Sequence, residues 1–140
     1  MNLNQGPLLM DASTFVDYLS KNLPHVTVTK ANDTSAQYTL EVAPNLLITL
    51  LSEEMFLFFD IQLGKKPPTA DKEVFLQWLA GANYLRQGTG NAYLCLTPKT
   101  NIIHLKSSAP SDTPLIHLKD HLEMFCNYAE YWKQTLTNYK

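Results

Sequence analysis

The amino-acid sequence predicts an α+β fold built from a mostly antiparallel, twisted sheet and three helices. Segments in which apolar and polar residues alternate occur in two groups, and an amphipathic segment with helical spacing precedes, separates and follows those groups. Only short turns join the long strands, whereas parallel pairing needs longer crossovers. The predicted order is therefore helix, three or four strands, helix, two strands, helix.

The first helix is predicted over residues 11–23, where Asp11 or Ser13 can cap the start and Pro24 forces the end. Its apolar side chains recur at helical spacing, at Phe15, Tyr18, Leu19 and Leu23. Residues 25–30 then alternate between polar and apolar side chains. We therefore expect a short strand that is half-buried or lies at an edge of the sheet.

Three longer strands are predicted next, over residues 36–42, 46–51 and 55–63. The last of them alternates most regularly, and one of its faces is fully apolar: Met55, Leu57, Phe59, Ile61 and Leu63. Phe56 and Phe58 lie on the opposite face. Two explanations stay open for them, namely a sheet covered on both faces by the chain's own helices, or an interface with another protein.

The second helix is predicted over residues 70–87, after a linker at residues 64–68, with Thr69 as its cap and a glycine-rich end at residues 88–90. Gly81 lies in the middle of this helix, at a cost of ~1 kcal/mol relative to Ala. Something is therefore expected to approach the helix closely at Gly81, either a strand of the same chain or a second subunit.

Two further strands, over residues 91–96 and 101–106, are predicted to form a hairpin. The last helix is the clearest element, because Thr113 can cap it and Pro114 suits its first turn. Its apolar stripe advances by alternating steps of three and four residues, through Leu115, Leu118, Leu122, Phe125, Ala129, Trp132 and Leu136.

Size and charge narrow the possible functions. A chain of 140 residues with 45% hydrophobic content predicts one domain, residues 1–140, of which residues 1–10 are expected to be flexible. A formal net charge of -2 without a basic stripe argues against nucleic acid as a partner. No apolar run approaches the roughly 20 residues of a membrane-spanning helix, and the N-terminus lacks a secretory layout. A cytoplasmic protein with reduced cysteines is therefore expected.

The sequence offers little chemistry. His117 and His121 have metal-ligand spacing, but no third ligand is evident and both are expected on a partly solvated face. His104 and Cys95 lie in strands without a recognisable nucleophile motif. The glycines at residues 88–90 follow the C-terminus of a helix, which exposes carbonyl groups and repels phosphate. We therefore expect neither a metal, nor a cofactor, nor an enzymatic activity.

The chain resembles the class I type III secretion chaperones of the Tir-chaperone type over roughly residues 11–136. The order of elements matches, and so does the segment FLQWLAGANYLRQGTGNAYLCLTP, with the pair Ala82-Asn83, the turn at residues 88–90 and the apolar strand that follows. FDIQLGKKPP, at residues 59–68, is similar to the strand that precedes the second helix in this family. Further matches lie in the closing helix, at Ala129, Glu130 and Trp132.

The resemblance implies a bacterial cytoplasmic dimer without enzymatic activity, which holds the N-terminal region of a secreted effector in extended form and presents it to a component of the secretion apparatus such as its ATPase. A homodimer is expected, and a heterodimer with another chaperone stays open. By analogy, the effector-binding residues are Phe15, Tyr18, Leu19, Val26, Val28, Tyr38 and Leu40. By the same analogy, the dimer interface contains Trp78, Gly81, Leu85, Tyr93 and Cys95.

Two other functions remain possible from the sequence. A regulatory module that binds a secretion or transcription component needs the same exposed apolar faces as a chaperone. A small-ligand-binding α+β domain needs convergent polar groups in a cavity, of which the sequence offers few.

Overall fold

The computed structural model describes residues 11–30, 37–44, 46–84 and 91–139. Within them lie three helices and six strands, in an order that confirms the predicted α+β class. The helices are α1 (Ala12–Asn22), α2 (Lys72–Asn83) and α3 (Leu115–Thr137). The strands are β1 (Thr27–Lys30), β2 (Gln37–Ala43), β3 (Leu46–Glu53), β4 (Phe56–Lys65), β5 (Tyr93–Thr97) and β6 (Ile102–Pro110).

The strands form one sheet in the order β1-β2-β3-β4-β6-β5, and every neighbouring pair is antiparallel, as predicted. The first four strands are joined by turns or short connections, so they pair with their sequence neighbours. β6 inserts between β4 and β5, which leaves β1 and β5 as the two edges of the sheet. The glycine-rich segment at residues 85–90 and the predicted flexible N-terminus lie outside the described residues.

Two strands extend beyond their predicted ends. β4 continues into the segment predicted as a linker, because the ladder shifts between Gln62 and Gly64 and Gly64 takes a φ of 146° that favours glycine. β6 continues to Pro110, which lies opposite Phe56. The turn between β3 and β4 is also later than predicted. Met55, predicted on the apolar face of β4, lies in that turn and is 62% exposed.

All three helices pack on one face of the sheet. The Phe59 ring of β4 has its centroid 6.3 Å from that of Phe15 in α1 and 5.9 Å from that of Phe125 in α3. α2 joins the same layer, since the Trp78 and Trp132 ring centroids are 5.6 Å apart. Full burial of a large apolar side chain contributes about 1.5–3 kcal/mol, so this aromatic layer is a main source of stability.

The helix starts differ in part from the prediction. Asp11 caps α1 by accepting a hydrogen bond from the Thr14 amide at 2.8 Å. For α2 the predicted cap Thr69 is wrong: Asp71 accepts from the Val74 amide at 3.0 Å and the helix begins at Lys72. The Lys66 ammonium donates to the carbonyls of residues 67 and 70, which holds a turn there and delays the helix. Likewise, no side chain caps α3, whose cap position is Pro114 rather than Thr113.

Candidate protein-binding surfaces

One face of the sheet, called the open face below, carries no helix among the described residues. On β4 its side chains are those that alternate with the core residues, and Phe56 and Phe58 are 44% and 38% exposed. Their ring centroids lie 6.1 Å apart. Of the two explanations that the sequence left open for these residues, coverage by the chain's own helices is not found in the described part of the chain. An apolar surface is thus free for a partner.

A polar cluster lies at the centre of the open face. Asp60 Oδ1 is 2.9 Å from His104 Nδ1, and Asp60 Oδ2 is 3.8 Å from Lys106 Nζ. Cys95 lies directly opposite His104 across the β5–β6 pair. Burial raises the pKa of the Cys95 thiol, against a smaller lowering by Lys106. The thiol is therefore protonated at neutral pH, and Cys95 beside His104 is not an activated nucleophile.

The residues predicted to bind an effector lie on the α1 and β1 side of the sheet, mostly with their side chains in the core. Phe15, Leu19 and Leu40 are fully buried, Val26 and Tyr38 are nearly so, and Tyr18 and Val28 are half-buried. Direct side-chain contact with a bound protein is thus limited to the partly exposed members. Effector binding by these residues stays a prediction.

What this side of the sheet does offer is an unpaired strand edge. Among the described residues β1 pairs only with β2, with Val28 opposite Leu40 and Lys30 opposite Tyr38. None of the described strands therefore lies against the other side of β1. The Lys30 ammonium lies 5.9 Å from the centre of the Tyr38 ring beside this edge. Such an edge can accept a strand from another chain.

The residues predicted for the dimer interface lie around α2 and β5. Trp78 is half-buried against Trp132 and Tyr139, whereas Tyr93 is 51% exposed. Cys95 is half-buried, Gly81 is exposed, and Leu85 lies outside the described residues. A Cβ added at Gly81 would meet nothing within 4 Å. The internal helix-to-strand contact considered for this glycine is therefore absent from the described structure, and its role in a dimer stays a prediction.

Asn83 belongs to the Ala-Asn pair at the end of the second helix, but its contact with β5 was not predicted. Its amide donates to the Leu94 carbonyl at 2.8 Å and accepts from the Leu94 amide at 2.7 Å. Both groups of Leu94 point away from β6, so the side chain takes the place of a paired strand. The β5 edge is thus closed at Leu94 by a side chain, in contrast to the β1 edge.

α2 carries further exposed apolar residues that were not predicted for an interface. Val74 is 55% exposed, Leu76 41%, and Tyr84, at the end of the helix, 66%. They lie on the element that also holds Gly81. At about 100° per residue, Val74 and Leu76 flank the buried stripe of Phe75 and Leu79 on either side, while the polar Glu73 and Gln77 lie on the outer side. Exposed apolar residues beside a buried stripe are the available signal for an interface.

His121 is only partly exposed, in line with the partly solvated face that was expected, but its ring makes contacts that were not predicted. Its Nε2 is 2.6 Å from the buried Ser107 hydroxyl, and its ring centroid is 4.9 Å from that of Phe59. Burial lowers the pKa of His121 from its ordinary value. His117 is exposed, and both histidines line one open cavity beside Tyr93 and Ser108. Among the described residues no three His, Cys, Asp or Glu side chains are grouped as metal ligands, and no helix is long and apolar enough to cross a membrane.

Several solved structures share this fold. A chain of the HopA1-SchA chaperone-effector complex is 16% identical with a TM-score of 0.68, covering 87% of this chain and 92% of that one. A chain of the ExsC-ExsE complex is 14% identical with a TM-score of 0.66, at coverages of 92% and 97%. A chain of the heterodimeric ExoU-SpcU complex from the type III secretion system of Pseudomonas aeruginosa is 18% identical with a TM-score of 0.57, at coverages of 77% and 84%.

Family membership follows from the sequence match rather than from these distant structures. A search of curated protein sequences gives no match. The sequence pattern of the Tir chaperone protein (CesT) family, however, matches residues 29–133, which include every strand from β2 to β6, α2 and most of α3. The chain therefore belongs to the Tir chaperone protein (CesT) family.

Proposed function

We propose that the protein is a bacterial cytoplasmic type III secretion chaperone. It binds the N-terminal region of a secreted effector in extended form, keeps the effector soluble and helps to deliver it to the secretion apparatus. The family match over residues 29–133 carries this proposal. It is supported by the fold shared with chains from complexes that are described as a chaperone-effector complex and as part of a type III secretion system.

The unpaired edge of β1 suits this task physically. An extended segment added to β1 satisfies its own backbone groups and those of β1 at once, whatever its sequence. Alternate side chains of the added segment then face the layer of α1, where Tyr18 and Val28 are partly exposed. Backbone recognition of this kind explains how a chaperone can bind a chain that has no globular fold.

Dimer formation through α2 and the start of β5 is part of the proposal. It is supported by the exposed apolar side chains of Val74, Leu76, Tyr84 and Tyr93 and by the open space beside Gly81. A second copy is the expected partner, and a related chaperone subunit is the alternative. We further propose that the whole chain is one domain, that it has no enzymatic activity, and that the complex is handed to an apparatus component such as the secretion ATPase.

Two proline variants test the β1 edge. Successive amides of a strand point to opposite sides, so one of Val28→Pro and Thr29→Pro removes a bond to β2 and the other removes only an outward N–H. We expect the variant that keeps the wild-type thermal midpoint to lose co-purification with N-terminal effector fragments expressed alongside it. Retention of those fragments by both folded variants would contradict binding at this edge.

A further inference from the structure

The end of the open face where β3 turns into β4 combines apolar and acidic groups. Phe56 and Phe58 are exposed there, next to the still more exposed Met55 of the turn, and Leu51 lies directly opposite Phe58. We call these four residues the hairpin patch. The Ser111 amide donates to the Met55 carbonyl at 2.7 Å, so the end of β6 is tied to this turn.

The charged side chains of the β3–β4 turn and of the end of β6 are all acidic. Residues 51–56 and 108–113 include Glu53, Glu54 and Asp112 but no Lys, Arg or His. Glu53 is the cross-strand partner of Phe56 and shares its face of the sheet. All three carboxylates are exposed, and none has a salt bridge with another described residue. The apolar patch therefore has an unneutralised acidic rim.

The other side of the hairpin patch differs. Asp60 is the next residue after Phe58 on the same face of β4, and its carboxylate contacts His104 and Lys106. Among the described residues of these strands, the carboxylates without a salt bridge lie toward the turn, which gives the charged groups of a partner a preferred direction. The backbone of Glu54 adopts a left-handed φ of 53°, a conformation that costs energy for a residue with a side chain. The turn therefore holds Met55 and the acidic side chains at the surface at a local cost.

We infer that the hairpin patch is a docking site for a basic amphipathic segment of another protein. Apolar side chains of the segment cover the Phe56 and Phe58 rings, and its Lys or Arg side chains reach the carboxylates of Glu53, Glu54 and Asp112. The site is separate from the β1 edge, from which β4 is three strand spacings away, roughly 14 Å. Either surface can therefore fail its test while the other stands.

Synthetic peptides test this inference directly. The probe is a short helical peptide with Leu and Phe on one face and Lys on the other, and its control carries Glu in place of every Lys. In NMR titrations of the full-length protein, the Lys peptide is expected to shift amide signals of residues 51–58 and 108–113 and to bind more weakly as salt is raised. The Glu peptide is expected not to bind.

Substitutions in the patch complete the test. Phe58→Ser is expected to weaken binding of the Lys peptide about 30-fold, with Phe56→Ser as the second variant if the first does not fold. Ile116→Ser on α3, which removes a side chain that is 61% exposed, is the matched control and should leave binding unchanged. The combined variant E53Q/E54N/D112N should weaken the Lys peptide and abolish the salt dependence.

Three results would overturn the inference: equal binding of the two peptides, amide shifts confined to α2 or α3, or a Phe58→Ser variant that lowers the measured mass from dimer to monomer. The last result would assign the hairpin patch to a second copy of this chain. None of them bears on the proline test at β1, so the proposed chaperone function and this docking site are judged separately.

Discussion

Asn83 is predicted to hold α2 against the edge of the sheet, and its removal should destabilise the protein. Asn83→Ala deletes both hydrogen bonds to Leu94, at 2.8 and 2.7 Å. A typical buried hydrogen bond contributes 0.5–1.5 kcal/mol, so loss of two half-buried bonds should cost about 2 kcal/mol. For a chain of this size that corresponds to a fall of roughly 6 °C in the thermal midpoint.

The assay combines urea unfolding with hydrogen exchange of the Leu94 amide. Asn22→Ala is the matched control, because Asn22 makes one exposed bond to the Tyr18 carbonyl and should cost less than about 0.5 kcal/mol. Asn83→Asp sharpens the test: an ionised carboxylate accepts from the Leu94 amide but cannot donate to its carbonyl. Its cost relative to wild type should therefore shrink below about pH 4, where the carboxyl group is protonated. The reasoning would be refuted if the free energy of unfolding of Asn83→Ala lay within about 0.3 kcal/mol of wild type and exchange of the Leu94 amide were unchanged.

Three further predictions concern single buried groups. Burial lowers the pKa of His121 below its ordinary 6.5, so the unfolded chain takes up a proton more readily and the free energy of unfolding falls as pH drops below that value; in urea unfolding, wild type should lose stability relative to His121→Gln as pH is lowered from about 6.5. Ser111→Ala should stabilise by about 1 kcal/mol, since the Ser111 hydroxyl is buried without a hydrogen-bond partner among the described residues; a lower urea midpoint would contradict this. Burial raises the pKa of Cys126 to about 12, so iodoacetamide should label Cys126 only after unfolding, as mass spectrometry of the native protein would show.

The sheet was largely predictable because period-two alternation identifies strands whatever their neighbours. The alternation is weak where small or polar residues fill core positions. In β6 the buried positions include the polar Ser107 and the small Ala109. Helix starts depend on local hydrogen bonds. The turn held by Lys66 moved the start of α2, and propensity alone does not contain that contact.

The candidate surfaces were only partly predictable. Alternation shows that Phe56 and Phe58 share a face, but not which face the helices cover, because that depends on the packing of distant segments. The contacts of His121 were not predicted, although it lies three residues after Leu118 and four before Phe125, beside the core stripe of α3. The prediction placed His121 one step off the stripe of Leu118 and Leu122 and did not consider that a position beside the stripe can still contact the sheet.

Which edge strand has partners for its outer backbone groups depends on tertiary contacts. The sequence predicted that residues 25–30 form a half-buried or edge strand, and β1 is an edge. It did not predict that β5 is the other edge, nor that Asn83 covers part of it. The asymmetry between the two edges is the feature that most directly favours strand addition at β1 over addition at β5.

The central claim is that an extended effector segment pairs with β1. Hydrogen exchange of the purified protein, alone and in complex with a co-expressed N-terminal effector fragment, tests it most directly. We predict that the fragment slows exchange of outward-facing amides within Thr27–Lys30 while the rest of the fragment exchanges as an unfolded chain does. Unchanged β1 exchange in a stable complex, or a fragment protected throughout as a globular domain is, would contradict the claim.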